Sequence, residues 1–124
     1  MLSKAKAFLL FIVGVINFIP VIGIISAQKL SELYGIAVED PNLEILLRHR
    51  ALMFGLVGGY IIYSVFQPKL QKSAIVMGFI SMLGFLFLAW QSGQFNELIR
   101  KLAYIDLVAI IFLLIATVLW LKKY

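Results

Sequence analysis

The polar side chains that could do chemistry in this chain stand inside segments that are otherwise apolar. The densest group is the run Arg48-His49-Arg50, and Glu44 precedes it by one helical turn. Arginines can hold an anionic group, and a histidine beside them can relay a proton or bind a lipid phosphate. Because charged groups are costly in hydrocarbon, we expect this run to face water, a headgroup or a partner inside a helical bundle.

A carboxyl group, Asp106, stands in the last apolar segment, and an amide, Asn17, stands in the first. A carboxylate withdrawn from water needs a nearby cation. We therefore predict that Asp106 pairs with Arg48 or Arg50. The candidate binding cluster is Glu44, Arg48, His49, Arg50, Asp106 and Asn17. The alternative is a purely structural cluster, in which the arginines pair locally or extend to the headgroups.

Several kinds of catalytic and metal site are excluded by composition. The chain has no cysteine, so it can form neither a disulfide nor a thiolate metal site. Its single histidine lacks the clustered ligands of a metal site. The glycines at positions 55, 58 and 59 lack the Lys and Ser/Thr of a nucleotide-binding loop. We therefore predict no catalytic residue, no metal site and no cofactor.

The elements that must position these residues are membrane-spanning helices. Apolar residues make up 63% of the chain and charged residues 14%, against about half and a quarter in soluble domains. Lipid is therefore the natural solvent for most of its surface. Since a helix needs about 20 apolar residues to cross a bilayer, we predict one transmembrane domain, 1–124, with spans near 6–27, 46–67, 73–92 and 102–121. The first span is expected to be retained rather than cleaved as a signal peptide.

Basic residues predict how the spans are oriented. Six lysines and no acid lie at the two chain ends and between the second and third spans: Lys4, Lys6, Lys69, Lys72, Lys122 and Lys123. The positive-inside rule then places both termini in the cytoplasm. The predicted fold is an all-α, up-down, integral membrane four-helix bundle with N-in/C-in topology, and its polar cluster lies on the outer side. Lysines at helix ends account for the net charge of +5, so nucleic acid is not expected as a partner.

Local signals predict how the second span begins and packs. Residues 27–33 read as a short amphipathic piece that ends at Tyr34-Gly35, and Asp40-Pro41 reads as a capped helix start. The loop 67–71 is short enough to make the second and third spans an antiparallel hairpin. Helical spacing places Gly55 and Gly59 on the stripe of Arg48, where small residues favour close helix packing.

Several segments resemble a known family. They are Asn17-Phe-Ile-Pro-Val-Ile-Gly23, Leu33-Tyr-Gly-Ile36, and 40–51 ending in Arg48-His49-Arg50-Ala51. Together they resemble a family of small four-helix bacterial inner-membrane proteins of unassigned function, sometimes mislabelled phosphopantetheine adenylyltransferase. That soluble α/β enzyme needs a phosphate-binding loop, which this chain lacks. A more distant resemblance is to DoxX-like four-helix proteins and rests on architecture.

These observations predict a multi-pass protein of the bacterial inner (plasma) membrane. The first interpretation is a non-enzymatic accessory subunit, or a binder of a lipid or quinone-like ligand at the outer-side cluster. The alternatives are a small oligomeric transporter or channel, and a membrane enzyme on a lipid substrate with His49 and Asp106 as acid and base. The expected partners are membrane lipid and either a second copy of the chain or a larger membrane complex.

Overall fold

The computed structural model describes residues 2–122, with side chains from residue 4 onward. This part of the chain is 89% helical and has no strand, which confirms the predicted all-α fold. Its helices are α1 (Leu2–Phe18), α2 (Ala27–Tyr34), α3 (Pro41–Phe66), α4 (Gln71–Ser92) and α5 (Glu97–Lys122). Two 3₁₀ segments, Ile19–Ile24 and Pro68–Leu70, follow α1 and precede α4.

Four of the helical segments are long and apolar enough to cross a membrane. Their bounds are Lys4–Ile24, Pro41–Phe66, Pro68–Ser92 and Glu97–Lys122. The four predicted spans fall on these segments, although the second and fourth helices begin about one turn earlier than the spans. The additional turns contain charged residues, which are Glu44 in α3 and Glu97, Arg100 and Lys101 in α5.

The four long helices form a closed ring of neighbours. α1 packs against α3 and α5, and α4 packs against the same two helices from the opposite side. The connections from α3 to α4 and from α4 to α5 are short, so these neighbours run antiparallel. We call the end of the bundle covered by the short helix the α2 end, and the opposite end, with the connection from α3 to α4, the hairpin end.

Pro20 determines how α1 ends. A proline has no N–H group, and its ring clashes with the carbonyl group four residues earlier, so an α-helix cannot continue through it at low cost. The helix ends at Phe18 and the chain continues as the 3₁₀ segment Ile19–Ile24, in which Pro20 occupies the first turn. This segment packs against α3 and α2 and brings the chain to the α2 end.

The short helix α2 and the start of α3 follow the predicted signals. Ser26 caps α2 by accepting a hydrogen bond from the Lys29 N–H, and Gly35 ends it in the left-handed conformation with φ of 69°. A left-handed residue favours glycine because a Cβ is strained there. The Asp40 carboxylate caps α3 by accepting from the Asn42 N–H at 2.9 Å. The predicted amphipathic piece, its break and the helix start are all confirmed.

A very close helix contact joins α3 to α1 at Gly58. A Cβ at this position would lie 2.5 Å from the backbone N of Phe18 and 2.6 Å from the carbonyl O of Gly14. Gly55 approaches the Val21 side chain in the same interface. The prediction that Gly59 supports this packing is wrong, since a Cβ there meets nothing within 4 Å. The close face of α3 therefore continues from Gly55 to Gly58 rather than to Gly59.

The surface of the bundle carries its largest apolar side chains. Phe66 is 70% exposed and Trp90 is 78% exposed. The interior instead contains many small or medium side chains, including Ala74, Ala109 and Ala116. Small residues inside and large apolar residues outside are typical of helices that pack in lipid, where hydrocarbon solvates the outer face.

Candidate functional site

Arg50 lies at the α2 end, half-buried among three aromatic rings. Its guanidinium carbon is 4.6 Å from the ring centre of Phe54, 5.3 Å from that of Tyr34 and 5.9 Å from that of Phe85. One guanidinium nitrogen also donates to the Tyr34 hydroxyl at 2.7 Å. A cation over aromatic faces gains about 0.5–2 kcal/mol, with the larger value where water is excluded. The rings therefore fix the position of the charge.

The three rings come from three different helices. Phe54 lies on α3 one turn after Arg50, Phe85 lies on α4, and Tyr34 is the last residue of α2. Residues four apart on a helix share a face, so the pairing of Arg50 with Phe54 follows from spacing alone. The other two contacts depend on how the helices pack.

Asn96 fixes the position of Tyr34. Its side-chain nitrogen donates to the Tyr34 carbonyl at 2.8 Å and to the Gly35 carbonyl at 3.1 Å. Its side-chain oxygen accepts from the Ile99 N–H at 2.8 Å, which satisfies a free donor in the first turn of α5. One amide thus ties the end of α2 to the start of α5, and this tie holds the Tyr34 ring over Arg50.

Asp106 faces the same small cavity as Arg50. Both side chains line a cavity of about 30 Å³ together with Tyr34, Phe54 and Phe85. Asp106 lies close enough to Arg50 for an electrostatic interaction. The two side chains, both in the described part of the chain, are not in direct contact as an ion pair. The predicted pairing of Asp106 with Arg50 is therefore indirect, across a space.

The volume of the cavity limits what it can hold. A cavity needs at least about 10–15 Å³ to hold one water molecule, whereas pockets for drug-sized ligands measure about 300–1,000 Å³. A cavity of about 30 Å³ holds one or two waters, or a single small polar group of a larger molecule. The rest of its lining is Ile16, Asn17, Pro20 and Leu102, which is mostly apolar.

Asn17 lines this cavity, but its own polar atoms are engaged elsewhere. It is buried, and its side-chain nitrogen donates to the Val13 carbonyl at 2.9 Å and contacts the Met82 sulfur at 3.6 Å. Its side-chain oxygen accepts a long hydrogen bond from the Ser81 hydroxyl at 3.5 Å. Asn17 therefore connects α1 to α4 across the bundle, with the cavity on one side.

Glu44 and Arg48 form a separate pair outside the cavity. Their side chains are 3.2 Å apart, and the Arg48 Nε also donates to the Ile24 carbonyl at 2.8 Å. This pair confirms the local pairing predicted from their spacing and corrects the prediction that Arg48 could pair with Asp106. Because both side chains are substantially exposed, the pair contributes at most about 1 kcal/mol.

His49 also lies outside the cavity. Its side chain is exposed and forms no hydrogen bond or ion pair with any residue that the structure describes. One residue along a helix turns the side chain by about 100°, so His49 cannot share the direction of Arg50. The predicted cluster of six thus divides into a cavity group, with Arg50, Asp106 and Asn17, and an outer group with Glu44, Arg48 and His49.

No protein-family model matches this chain, and neither a curated protein nor a solved structure is significantly similar to it. The family resemblance stays a prediction.

Four residues of the site do not appear in the predicted cluster: Tyr34, Phe54, Phe85 and Asn96. Phe54 could have been found from its spacing to Arg50. Phe85 lies in a run rich in phenylalanine that suggests lipid contact, and nothing in the sequence distinguishes it from its neighbours. Tyr34 and Asn96 are 62 positions apart, so only the folded chain brings them together.

The arrangement offers donors and an acceptor to one small group. A guanidinium has five N–H donors, and the described residues use only the one bonded to Tyr34. The Asp106 carboxylate accepts no hydrogen bond from any described residue. Within residues 2–122, no three His, Cys, Asp or Glu side chains are grouped so that they could hold a metal ion. The chemistry that fits is recognition of a group that both accepts and donates hydrogen bonds.

Proposed function

We propose that this protein is a multi-pass protein of the bacterial inner membrane that binds a membrane-soluble molecule through a polar group held between Arg50 and Asp106. Four apolar segments of spanning length support the membrane location. The inner membrane follows from the family resemblance, and the lysines at the chain ends and at the hairpin end favour N-in/C-in topology. The binding site then lies in the outer half of the bilayer.

The observation that carries this proposal is the separation of two opposite charges that face one cavity. A pair that served packing alone would gain most by direct contact, because a charge-assisted hydrogen bond in a low dielectric is strong and exposes no unpaired group. Arg50 and Asp106 instead leave a space of about 30 Å³ between rings that hold the arginine. A polar ligand group that lies between Arg50 and Asp106 can form hydrogen bonds with both side chains.

Native mass spectrometry of protein extracted from its own membrane in mild detergent tests the proposal. The wild type is expected to carry a small molecule, which solvent extraction then identifies by mass. Replacing either charged partner, as Arg50→Gln or Asp106→Asn, is expected to lower its occupancy at least tenfold, a loss of about 1.4 kcal/mol of binding free energy.

Arg48→Gln is the matched control, since it removes the same type of charge two residues earlier on the same helix but outside the cavity. This variant is expected to keep the bound molecule. Circular dichroism and size-exclusion chromatography establish that each variant is folded. A wild type without any bound molecule, or equal occupancy in Arg48→Gln and Arg50→Gln, would contradict the proposal.

A further inference from the structure

A second space adjoins the polar cavity between α3 and α4. It has a volume of about 170 Å³ and is lined by Arg50, Met53, Phe54, Val57 and Ser81. Arg50 and Phe54 line both spaces, so the groove and the polar cavity share these two side chains. Met53 is 46% exposed, which places part of the groove at the outer surface of the bundle.

The walls of this groove are almost entirely apolar. Met53, Phe54 and Val57 supply carbon or sulfur surface, and the flexible methionine can adapt to the shape of an occupant. The Ser81 hydroxyl is directed to Asn17, to which it donates. A hydrocarbon chain fits this lining, whereas a polar chain would leave its own groups without partners.

From these shared side chains we infer that the ligand is a single-chain amphiphile with an uncharged, hydroxyl-bearing head. The hydrocarbon chain lies in the groove between α3 and α4, and the hydroxyl bridges Arg50 and Asp106. This inference rests on the proposed function and adds to it the chemical class of the ligand and the path of its chain.

The charges of the site determine which kind of ligand headgroup can bind. Arg50 and Asp106 carry opposite formal charges, so together they are neutral, and a charged head would leave one net charge in a low-dielectric site. A hydroxyl accepts from the guanidinium and donates to the carboxylate, which uses both groups without adding charge. A hydroxyl also fits the volume of the cavity, which is about 30 Å³.

A second, larger groove on the bundle does not reach the charged residues of the site. It lies between α1 and α5, has a volume of about 270 Å³, and is lined by Ile16, Lys101, Tyr104, Ile105 and Val108. It shares only Ile16 with the polar cavity and reaches neither Arg50 nor Asp106. This groove therefore provides a control for the effect of filling an apolar space.

Photo-crosslinking with hexadecanol that carries a diazirine midway along its chain tests the path of the chain. Labelling of purified protein in detergent is expected on peptides that contain Met53 or Val57, located by mass spectrometry. Val57→Trp fills the groove and is expected to lower this labelling at least fivefold, while Val108→Trp makes the same substitution in the other groove and leaves it unchanged. Met53→Trp, at a more exposed position, repeats the test if Val57→Trp does not fold.

Competition against the photoreactive alcohol tests the head. Unlabelled hexadecanol, hexadecanoic acid and hexadecylamine are compared at a pH that lies between the carboxyl and amine pKa values, so that the last two are charged. Hexadecanol is expected to compete at about tenfold lower concentration than either charged compound. Stronger competition by the acid or the amine would overturn the uncharged class.

The outcomes separate this inference from the proposed function. If labelling depends on Arg50 and Asp106 but falls on peptides outside α3 and α4, the path of the chain is wrong and the polar site stands. If Arg50→Gln and Asp106→Asn leave labelling unchanged, the polar site itself is wrong. If Val108→Trp lowers labelling as much as Val57→Trp, the groove between α3 and α4 has no special role.

Discussion

At the scale of single residues, Arg50 and Arg48 show how two identical side chains acquire different roles. Arg50 lies among three rings and faces Asp106 across a cavity. Arg48 lies at the surface, where Glu44 and the Ile24 carbonyl engage it. The two positions differ by about 200° around the helix, so they cannot share a direction. Only the residue that points into the bundle is available to a ligand in the cavity.

Arg50→Lys is expected to destabilise the protein although it keeps the charge. A lysine ammonium lacks the planar surface that stacks on several rings and the fork of donors that reaches Tyr34. We expect the free energy of unfolding to fall by about 1–2 kcal/mol, the size of a desolvated cation–π contact. Denaturant titration in detergent micelles measures it.

Arg100→Lys provides the comparison, because Arg100 is substantially exposed over a single ring, that of Phe95, at 5.9 Å. That substitution is expected to change the free energy of unfolding by less than about 0.5 kcal/mol. If both variants lose the same free energy of unfolding, the three rings around Arg50 contribute nothing to stability.

The sequence predicts this site in part. Charged residues in apolar segments identified Arg50 and Asp106, because the cost of burying charge makes such positions informative. The same reasoning could not separate Arg48 and His49 from the cavity, since the face that α3 turns to its neighbours depends on a close contact at Gly58 rather than at Gly59. Asparagine is a common N-cap, so the sequence could suggest that Asn96 caps α5, but not that it also bonds to the end of α2. Nothing local in the sequence indicates that Tyr34 contacts Arg50.

At the scale of elements, α2 covers one end of the bundle, and the Asn96 side chain ties it to α5. Leu30 and Tyr34 are its buried residues, and Asn96 ties its last turn to the start of α5. An eight-residue helix is not stable by itself in water, so its packing and caps hold it in place. Loss of any of these few contacts is therefore expected to loosen α2.

Asn96→Ala is expected to loosen α2. It removes the bonds to the Tyr34 and Gly35 carbonyls and the cap on Ile99, at a cost of about 1–2 kcal/mol. Amide hydrogen exchange in residues 27–35 is expected to accelerate by about tenfold. Hydrogen–deuterium exchange read by mass spectrometry measures it.

Asp40→Ala removes a comparable cap from α3 without touching the end of α2, so it is the matched control. Exchange in 27–35 is expected to stay near the wild-type rate in this variant. Acceleration in Asp40→Ala but not in Asn96→Ala would contradict the role given to the amide.

The contact between α1 and α3 predicts a contrast between adjacent glycines. A Cβ at position 58 meets the backbone of Phe18 and Gly14, which cannot move aside without separating the helices. Gly58→Ala is therefore expected to lower the free energy of unfolding by about 1–3 kcal/mol, the usual cost of overpacking. Gly59→Ala meets open space and is expected to leave stability unchanged or slightly raised. Similar effects at both positions would mean that the helices do not approach closest at Gly58.

At the scale of the whole molecule, the sequence predicts architecture better than detail. The length of the apolar segments predicts all four long helices, because a chain that crosses lipid must satisfy its backbone hydrogen bonds internally, as a helix does. The ring of neighbours follows from short connections. Rotation of each helix about its axis depends on small local contacts such as that at Gly58, and this rotation decides which polar residues meet.

The proposed topology predicts opposite accessibility at the two ends of the bundle. The chain has no cysteine, so single cysteines can be introduced without interference. In intact cells or spheroplasts, Glu39→Cys, before α3, is expected to react with a membrane-impermeant maleimide. Lys69→Cys, in the connection to α4, is expected to react only after the membrane is made permeable. The reverse pattern would place the α2 end in the cytoplasm.

The binding of photoreactive hexadecanol to Arg50→Gln, Asp106→Asn and the double variant tests the account most directly. If one ligand hydroxyl bridges both side chains, the losses are not additive, and the double variant binds about as weakly as each single variant. That result is what the separation of these charges across one small cavity predicts. Wild-type binding in both single variants would contradict it.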